Sequence, residues 1–286
     1  MIKQVVSSIS VILIVTLFIF NACDIVEEPY TNPVDENNEE SEVVQKVLLE
    51  EFTGHQCPNC PEGTELAKQL KNLYGDKFII IAYHAGWFAR TSSSFTTDYT
   101  TLVGDNLNDA FEIQANPSGL INRRANVIEG DELVLSSTQW SSATAIAIEE
   151  EPKLKLSISH TYNSSNQTLS VTVNATTLSE VNPMLVNVFI TENNVVSPQK
   201  TTSDDPNANE DGVIIDYMHN NVFRASLNGT WGTKIFEEAA GVNESESITV
   251  NGTISSDWNE SNLSIVCFAY NEDDGSIVQA DYTSLL

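Results

Sequence analysis

Two cysteines three residues apart, Cys57 and Cys60, are the residues of this chain best placed to do chemistry. The run Phe52-Thr53-Gly54-His55-Gln56-Cys57-Pro58-Asn59-Cys60-Pro61 leads from an apolar stretch through a short turn into a helical pattern. Leu66, Leu70 and Leu73 follow at the spacing of one buried helix face. Cys57 at the N-cap and Pro58 at the first helical position suit that start, because the N–H that proline lacks would have no partner there. Cys60 then falls on the same face, within disulfide reach. The positive end of the helix favours the Cys57 thiolate over its thiol, which is the chemistry of a redox dithiol. A structural disulfide is the rival reading. Zinc would need about four ligands, and the chain has no second Cys-x-x-Cys and no His pair at ligand spacing. Glu50, Glu51, Glu62 and Glu65 add negative charge around the pair and oppose thiolate formation. His55, two residues before Cys57, is placed either to stabilise a thiolate or to bond the backbone.

The elements that must hold this pair alternate between strand and helix from Gln45 to about Pro152. The dithiol helix is expected to end near Tyr74-Gly75, where glycine supplies a C-cap. Phe78 to Ala82 is a continuous apolar run, as expected for a strand buried on both faces. Residues 99–111 read as a helix around Leu102, Leu107 and Phe111. Ala115-Asn116-Pro117 leads into a short apolar strand, and a last helix runs around Trp140 to Ile148. From about Lys153 the pattern changes to period two. Leu154, Leu156 and Ile158 share a face, as do Leu169, Val171 and Val173, then Val186, Val188 and Ile190, and Ile248, Val250 and Ile254 repeat the pattern. Polar turns separate these runs, which argues for an antiparallel sandwich. Cys267, in an apolar strand, reads as a small buried hydrophobe.

The first 44 residues read as targeting and tether. Lys3 precedes the apolar core Val11 to Phe20, which is too short to span a bilayer. That core ends in Phe20-Asn21-Ala22-Cys23. Residues 23–44 are acidic, rich in Asn and Glu, and unable to bury enough apolar surface to order themselves. Fully extended, they reach on the order of 60 Å.

The chain carries 13 Lys+Arg against 40 Asp+Glu, a net charge of -27, and loss of residues 1–22 would remove only Lys3. A surface so negative excludes non-specific binding to phosphate backbones and to anionic headgroups, so nucleic acid is not an expected partner. The sequence calls for no cofactor. Asp205, Asn207, Asn209 and Asp211 alternate along a loop, and such oxygen spacing makes the loop a weak calcium candidate. It departs from the EF-hand pattern, which needs glycine where Glu210 stands.

Three resemblances follow from these residues. Ala22-Cys23 after a short apolar core resembles a bacterial lipobox, with Phe20 where leucine is usual. It implies that Cys23 is acylated, palmitate among its chains, and anchors the protein to a membrane. The strand, Cys-x-x-Cys helix, buried strand, helix and proline-led strand resemble the thioredoxin superfamily, with Gln56 where that superfamily has tryptophan. The resemblance implies a cis Pro117 opposite the dithiol and a substrate groove at Asn116 and His55. Its exchange chemistry would use Cys57 as nucleophile and Cys60 to resolve, with thiol-containing proteins or peptides as partners. Residues 84–98 would be an insertion beside the site. The motifs at Phe52 to Pro61 and Pro117-x-Gly119-x-x-Asn122-Arg123, with Tyr217 to Ala225 and Leu227 to Gly232, resemble the Omp28-related outer-membrane lipoproteins of Bacteroidota. The organisation expected is a signal peptide (1–22), a tether (23–44), an α/β thioredoxin-like domain (45–152) and an all-β, Ig/fibronectin-like sandwich (153–286). The location implied is the bacterial outer membrane, facing periplasm or cell surface.

Overall fold

A computed structural model describes residues 43–286 except 126, 128, 129, 131 and 203. Cys23, the signal segment and all but the last two residues of the tether lie outside the described residues. The described chain is mostly β, with mixed and antiparallel sheets and few helices.

The centre is a nine-stranded mixed sheet. Strand β1 (Val47–Thr53) pairs in parallel with β2 (Phe78–His84) and antiparallel with β3 (Ser118–Ile121), which carries β4 (Leu135–Ser136) at the edge. Both β1 and β2 are buried along their whole length, so apolar residues face helices or strands on both sides. Helix α1 (Cys60–Tyr74) and helix α3 (Ser137–Ala147) pack on one face, around Val47, Leu49, Phe78, Ile80 and Trp140. Helix α2 (Leu102–Ala110) and several aromatics cover the other, around Phe52, Tyr83, Phe189 and Phe268. Helix α2 starts later than the pattern suggests, because Thr101 caps it with its hydroxyl on Gly104 N (2.9 Å).

Two strands, β5 (Leu154–Asn163) and β6 (Thr168–Thr177), form a long hairpin with the period-two burial expected of a half-buried sheet. They join β12 (Ser245–Thr253) in a three-stranded antiparallel sheet. It packs on β7 (Met184–Glu192) and β13 (Leu263–Asn271), with Leu169, Val171, Val188, Ile265 and Cys267 in the core between them. These strands belong to the same nine-stranded sheet as β1. Strand β7 pairs with β13, with β11 (Thr233–Phe236) and with β10 (Val222–Ser226), and β10 touches β2 through Val222 and Ala82. Strand β14 (Ile277–Ser284) closes the far edge beside β13. The sheet therefore passes from residues 45–152 into residues 153–286 without a break.

One hairpin stands apart. Strands β8 (Val195–Lys200) and β9 (Val213–His219) pair only with each other and lie over the end of β1.

Candidate functional site: a covered disulfide

Strand β1 delivers its chain into a tight turn in which Cys57 N donates to Gly54 O (2.9 Å) and Cys60 N to Cys57 O (3.4 Å). These turns delay the helix. Cys60 is the first residue of α1, Asn59 is its N-cap without a side-chain bond, and Pro61 occupies the first turn. The sequence expectation of Cys57 at the N-cap and Pro58 at the first helical position is thus shifted by two residues. Leu73 also departs from expectation. It is 71% exposed, and the buried face of α1 consists of Cys60, Gly63, Ala67 and Leu70.

Cys57 and Cys60 form a disulfide with Cα atoms 5.4 Å apart. The Asn116–Pro117 peptide bond is cis, and Cys57 Sγ lies 3.5 Å from the carbonyl oxygen of Asn116. Gly63 permits this approach. A Cβ added there would stand 2.8 Å from Pro117 Cβ, so only glycine lets the first turns of α1 rest on that ring. A cleft of about 650 Å³ flanks Pro117, lined by Phe111, Ala115, Ser118, Leu133 and Leu135 among others; neither cysteine lines it.

Both sulfurs are sealed. Cys57 and Cys60 are each 1% exposed. On one side, Gln56 N donates to Phe88 O (3.0 Å) and His55 Nε2 bonds Arg90 O (2.8 Å), so residues 84–98 do lie beside the site. On the other side lies the β8–β9 hairpin. Gln199 Nε2 donates to Cys57 O (3.0 Å) and reaches Gly54 O (3.3 Å), while Lys200 N donates to His55 O (2.7 Å).

The two glutamates of β1 face opposite sides of the sheet. Glu50 points away from α1. It is held by Arg123 through Nε (2.6 Å) and Nη2 (2.8 Å) and accepts from Tyr83 OH (2.8 Å), with the guanidinium among Phe111, Phe268 and Tyr270. Its charge is therefore compensated, and it does not bear on the dithiol as the sequence suggested. Glu51 faces α1. Burial pushes its carboxyl up to about 7, opposed by the hydrogen bond from Thr64 Oγ1 (2.9 Å). Tyr217 of β9 is pushed up to about 12, by burial first and then by the charge of Glu51.

Three of the chain's four histidines gather beneath the hairpin, which nothing local in the sequence announced. His55, His84 and His219 are all buried and surround Tyr99, with ring centroids 5.8, 4.6 and 5.1 Å from its ring. Tyr99 and Ser197 of β8 share a hydrogen bond of 2.6 Å. Burial lowers the pKa of all three imidazoles, to about 4 for His219. His55 Nδ1, His84 Nδ1 and His219 Nε2 have no hydrogen-bond partner among the described residues.

At the far end of the hairpin, side-chain oxygens of two residues of the calcium candidate are engaged in turns. Asp205 Oδ1 accepts from Asn207 N (2.8 Å), and Asn209 Oδ1 accepts from Asp211 N (3.0 Å) and Val213 N (2.9 Å). The Lys200 ammonium donates to the Asp211 carbonyl. Among the described residues, no group of three or more His, Cys, Asp or Glu is arranged to hold a metal ion.

Comparison with known proteins places this architecture. The chain is similar over 85% of its length to HBP35 of Porphyromonas gingivalis, with a TM-score of 0.60 and 15% identity, covering 76% of that chain. It also matches a protein of Agrobacterium tumefaciens (TM-score 0.49, 11% identity, 86% of this chain and 97% of that one). A domain of the outer membrane lipoprotein Omp28 from Porphyromonas gingivalis matches 47% of this chain and 89% of its own, at a TM-score of 0.31 and 17% identity. No curated protein matches. Among the described residues no helix is long and apolar enough to cross a membrane. The family described as Outer membrane protein Omp28 matches residues 104–283, a span that includes Pro117, the hairpin and the antiparallel strands and begins after the cysteine pair. The chain belongs to the Omp28 family of outer-membrane proteins.

Proposed function

We propose that this is a lipid-anchored outer-membrane protein that binds or braces other envelope components, with Cys57–Cys60 as a structural disulfide at neutral pH. In this reading acyl chains on Cys23 hold the protein to the membrane, and residues 23–44 tether it. Residues 45–152 form a thioredoxin-like lobe and residues 153–286 a β-sandwich lobe, joined through one sheet. The observation that carries the reading is the equal and nearly complete burial of both sulfurs, with Gln199 bonded over the turn between them. A sulfur that no partner thiolate can approach in line does not exchange.

A second reading, thiol–disulfide exchange, is favoured by the contact of Cys57 Sγ with the Asn116 carbonyl beside the cis proline. In the oxidising direction a partner thiolate would attack Cys57 Sγ and form a mixed disulfide. The Cys57–Cys60 bond would break, and Cys60 would leave with its electron pair and take a proton from water. A second partner thiolate would then release Cys57, leaving the partner oxidised and the pair reduced. Trapping decides between the readings. In cells carrying Cys60→Ser or Cys57→Ser, the structural reading expects no mixed disulfides from either. Trapping through Cys57 in Cys60→Ser alone would establish exchange, with Cys57 as the nucleophile.

A further inference from the structure

We propose that the β8–β9 hairpin is a hinged cover over the Cys57–Cys60 disulfide, released when the imidazoles beneath it take up protons, so that the pair can be reduced only while the cover is lifted. This goes beyond the structural reading of the disulfide and requires no turnover by it.

The hairpin is built to move as a unit. Among the described residues, its two strands pair with each other and with no other strand. The chain enters it at Asn194 and leaves it at Asn221, both in the left-handed region, with φ of +58° and +54°. The two sides of this neck are cross-bonded: Asn194 N donates to Asn220 Oδ1 (3.0 Å), and Asn221 N to Asn193 Oδ1 (2.9 Å). A closed neck of this kind lets the strands beyond it swing without losing their own pairing.

The polar contacts that hold it down include the Gln199 amide on Cys57 O and Gly54 O, the Lys200 N–H on His55 O, the Tyr99–Ser197 hydroxyl pair, and a hydrogen bond between the Tyr217 and Thr64 side chains. Against them stand three ring nitrogens without partners, on His55, His84 and His219. Buried unpaired acceptors cost free energy that water would recover on opening. The closed arrangement thus carries a penalty located under the cover itself.

Protons act on this interface in one direction. His55 comes from the turn after β1, His84 from the end of β2, and His219 from β9 within the cover. Tyr99 and Tyr217 pack against His219 as neutral rings. Arg224 of β10, paired with Glu192 of β7 (2.7 Å), stands over Tyr99 and adds a positive charge that opposes imidazolium formation at His84 and His219. The Asp98 carboxylate acts on His55 and favours the charged ring there. The closed form therefore binds fewer protons than a lifted form whose imidazoles are hydrated, and acid shifts the balance towards lifting.

The test is the rate at which the full mature chain is reduced by a water-soluble phosphine, which cleaves disulfides across the acidic and neutral range. The urea-unfolded chain serves as reference at each pH, and alkylated cysteines are located by mass. Cys267, fully buried in β13 and unpaired, reports global unfolding within the same sample. Relative to the reference, we expect reduction of Cys57–Cys60 to be at least tenfold faster at pH 4.5 than at pH 7.5 while Cys267 stays unlabelled. Gln199→Ala should raise the rate at pH 7.5. His219→Phe, which keeps a ring but cannot take a proton, should flatten the pH dependence; if that chain labels at Cys267, His84→Phe replaces it. The proposal is overturned if reduction is independent of pH, if Cys267 always labels together with the pair, or if the folded histidine variant keeps the full pH dependence.

Discussion

The side-chain amide of Gln199 donates to the carbonyl oxygen of Cys57 at 3.0 Å, joining residues 142 positions apart in sequence. That one bond places a strand from the second half of the chain directly on the dithiol turn. It explains why a Cys-x-x-Cys motif whose spacing invites exchange is found sealed. The pair's chemistry is set by what lies over it as much as by the helix that presents it.

Membrane attachment should depend on Cys23. Cys23→Ser should fold normally yet leave the membrane fraction, since the proposed acyl anchor would lose the thiol it is attached to. Fractionation with detergent extraction is the measurement, and a variant that still partitions with membranes would exclude the lipid anchor.

The buried ion pair should be costly to break and cheap to replace. Arg123→Met leaves the Glu50 carboxylate buried without its partner, and should destabilise by about 3–5 kcal/mol. Adding Glu50→Leu should restore part of that loss, because the buried charge is removed while the Tyr83 hydroxyl loses its acceptor. Urea unfolding of the single and double variants gives both numbers, and a double variant no more stable than the single one would refute the argument.

Glu51 should set the alkaline limb of the stability curve. Burial pushes its folded carboxyl up to about 7, above the ordinary 4.5. The folded state therefore binds its proton more tightly than the unfolded chain. That contribution is fully present below about pH 4.5 and is lost as pH rises through 7. Glu51→Gln removes the titration while keeping an acceptor for Thr64. At pH 8 it should be more stable than the parent by on the order of 3 kcal/mol, and at pH 4 the difference should vanish. Equal stability differences at both pH values would contradict the assignment.

The acid limb should belong to the histidines. His219 falls to about 4 from 6.5, so the unfolded chain binds the proton first. The stability that this neutral ring contributes is present above about 6.5 and is lost as pH falls towards 4. His219→Phe should reduce the loss of stability between pH 6.5 and 4, read from urea midpoints. An unchanged slope in that window would show that this ring does not titrate on unfolding.

Gly63 should tolerate no side chain. Alanine favours a helix interior by roughly 1 kcal/mol over glycine, yet the added methyl would sit 2.8 Å from Pro117 Cβ. Overpacking of that kind costs about 1–3 kcal/mol. We expect Gly63→Ala to lose stability on balance and to speed reduction of the disulfide, measured by thiol release.

The sequence by itself determined the parts whose signals are local. The Cys57–Cys60 spacing, the glycine that ends α1 at Tyr74, the buried run of β2 and the alternation of β5 and β6 are each written in neighbouring residues. A few residues decide such features through turn chemistry and side-chain period. The proline before β3 also stood out locally, and the structure sets it beside Cys57. The tertiary structure decided the rest. Burial of both sulfurs, the gathering of His55, His84 and His219 around Tyr99, and compensation of Glu50 by Arg123 join residues far apart in the chain. No periodicity encodes which distant strand lands on a given turn. That choice follows from how β7 and β10 extend the sheet begun by β1 and β2, which carries the β8–β9 hairpin onto the end of β1.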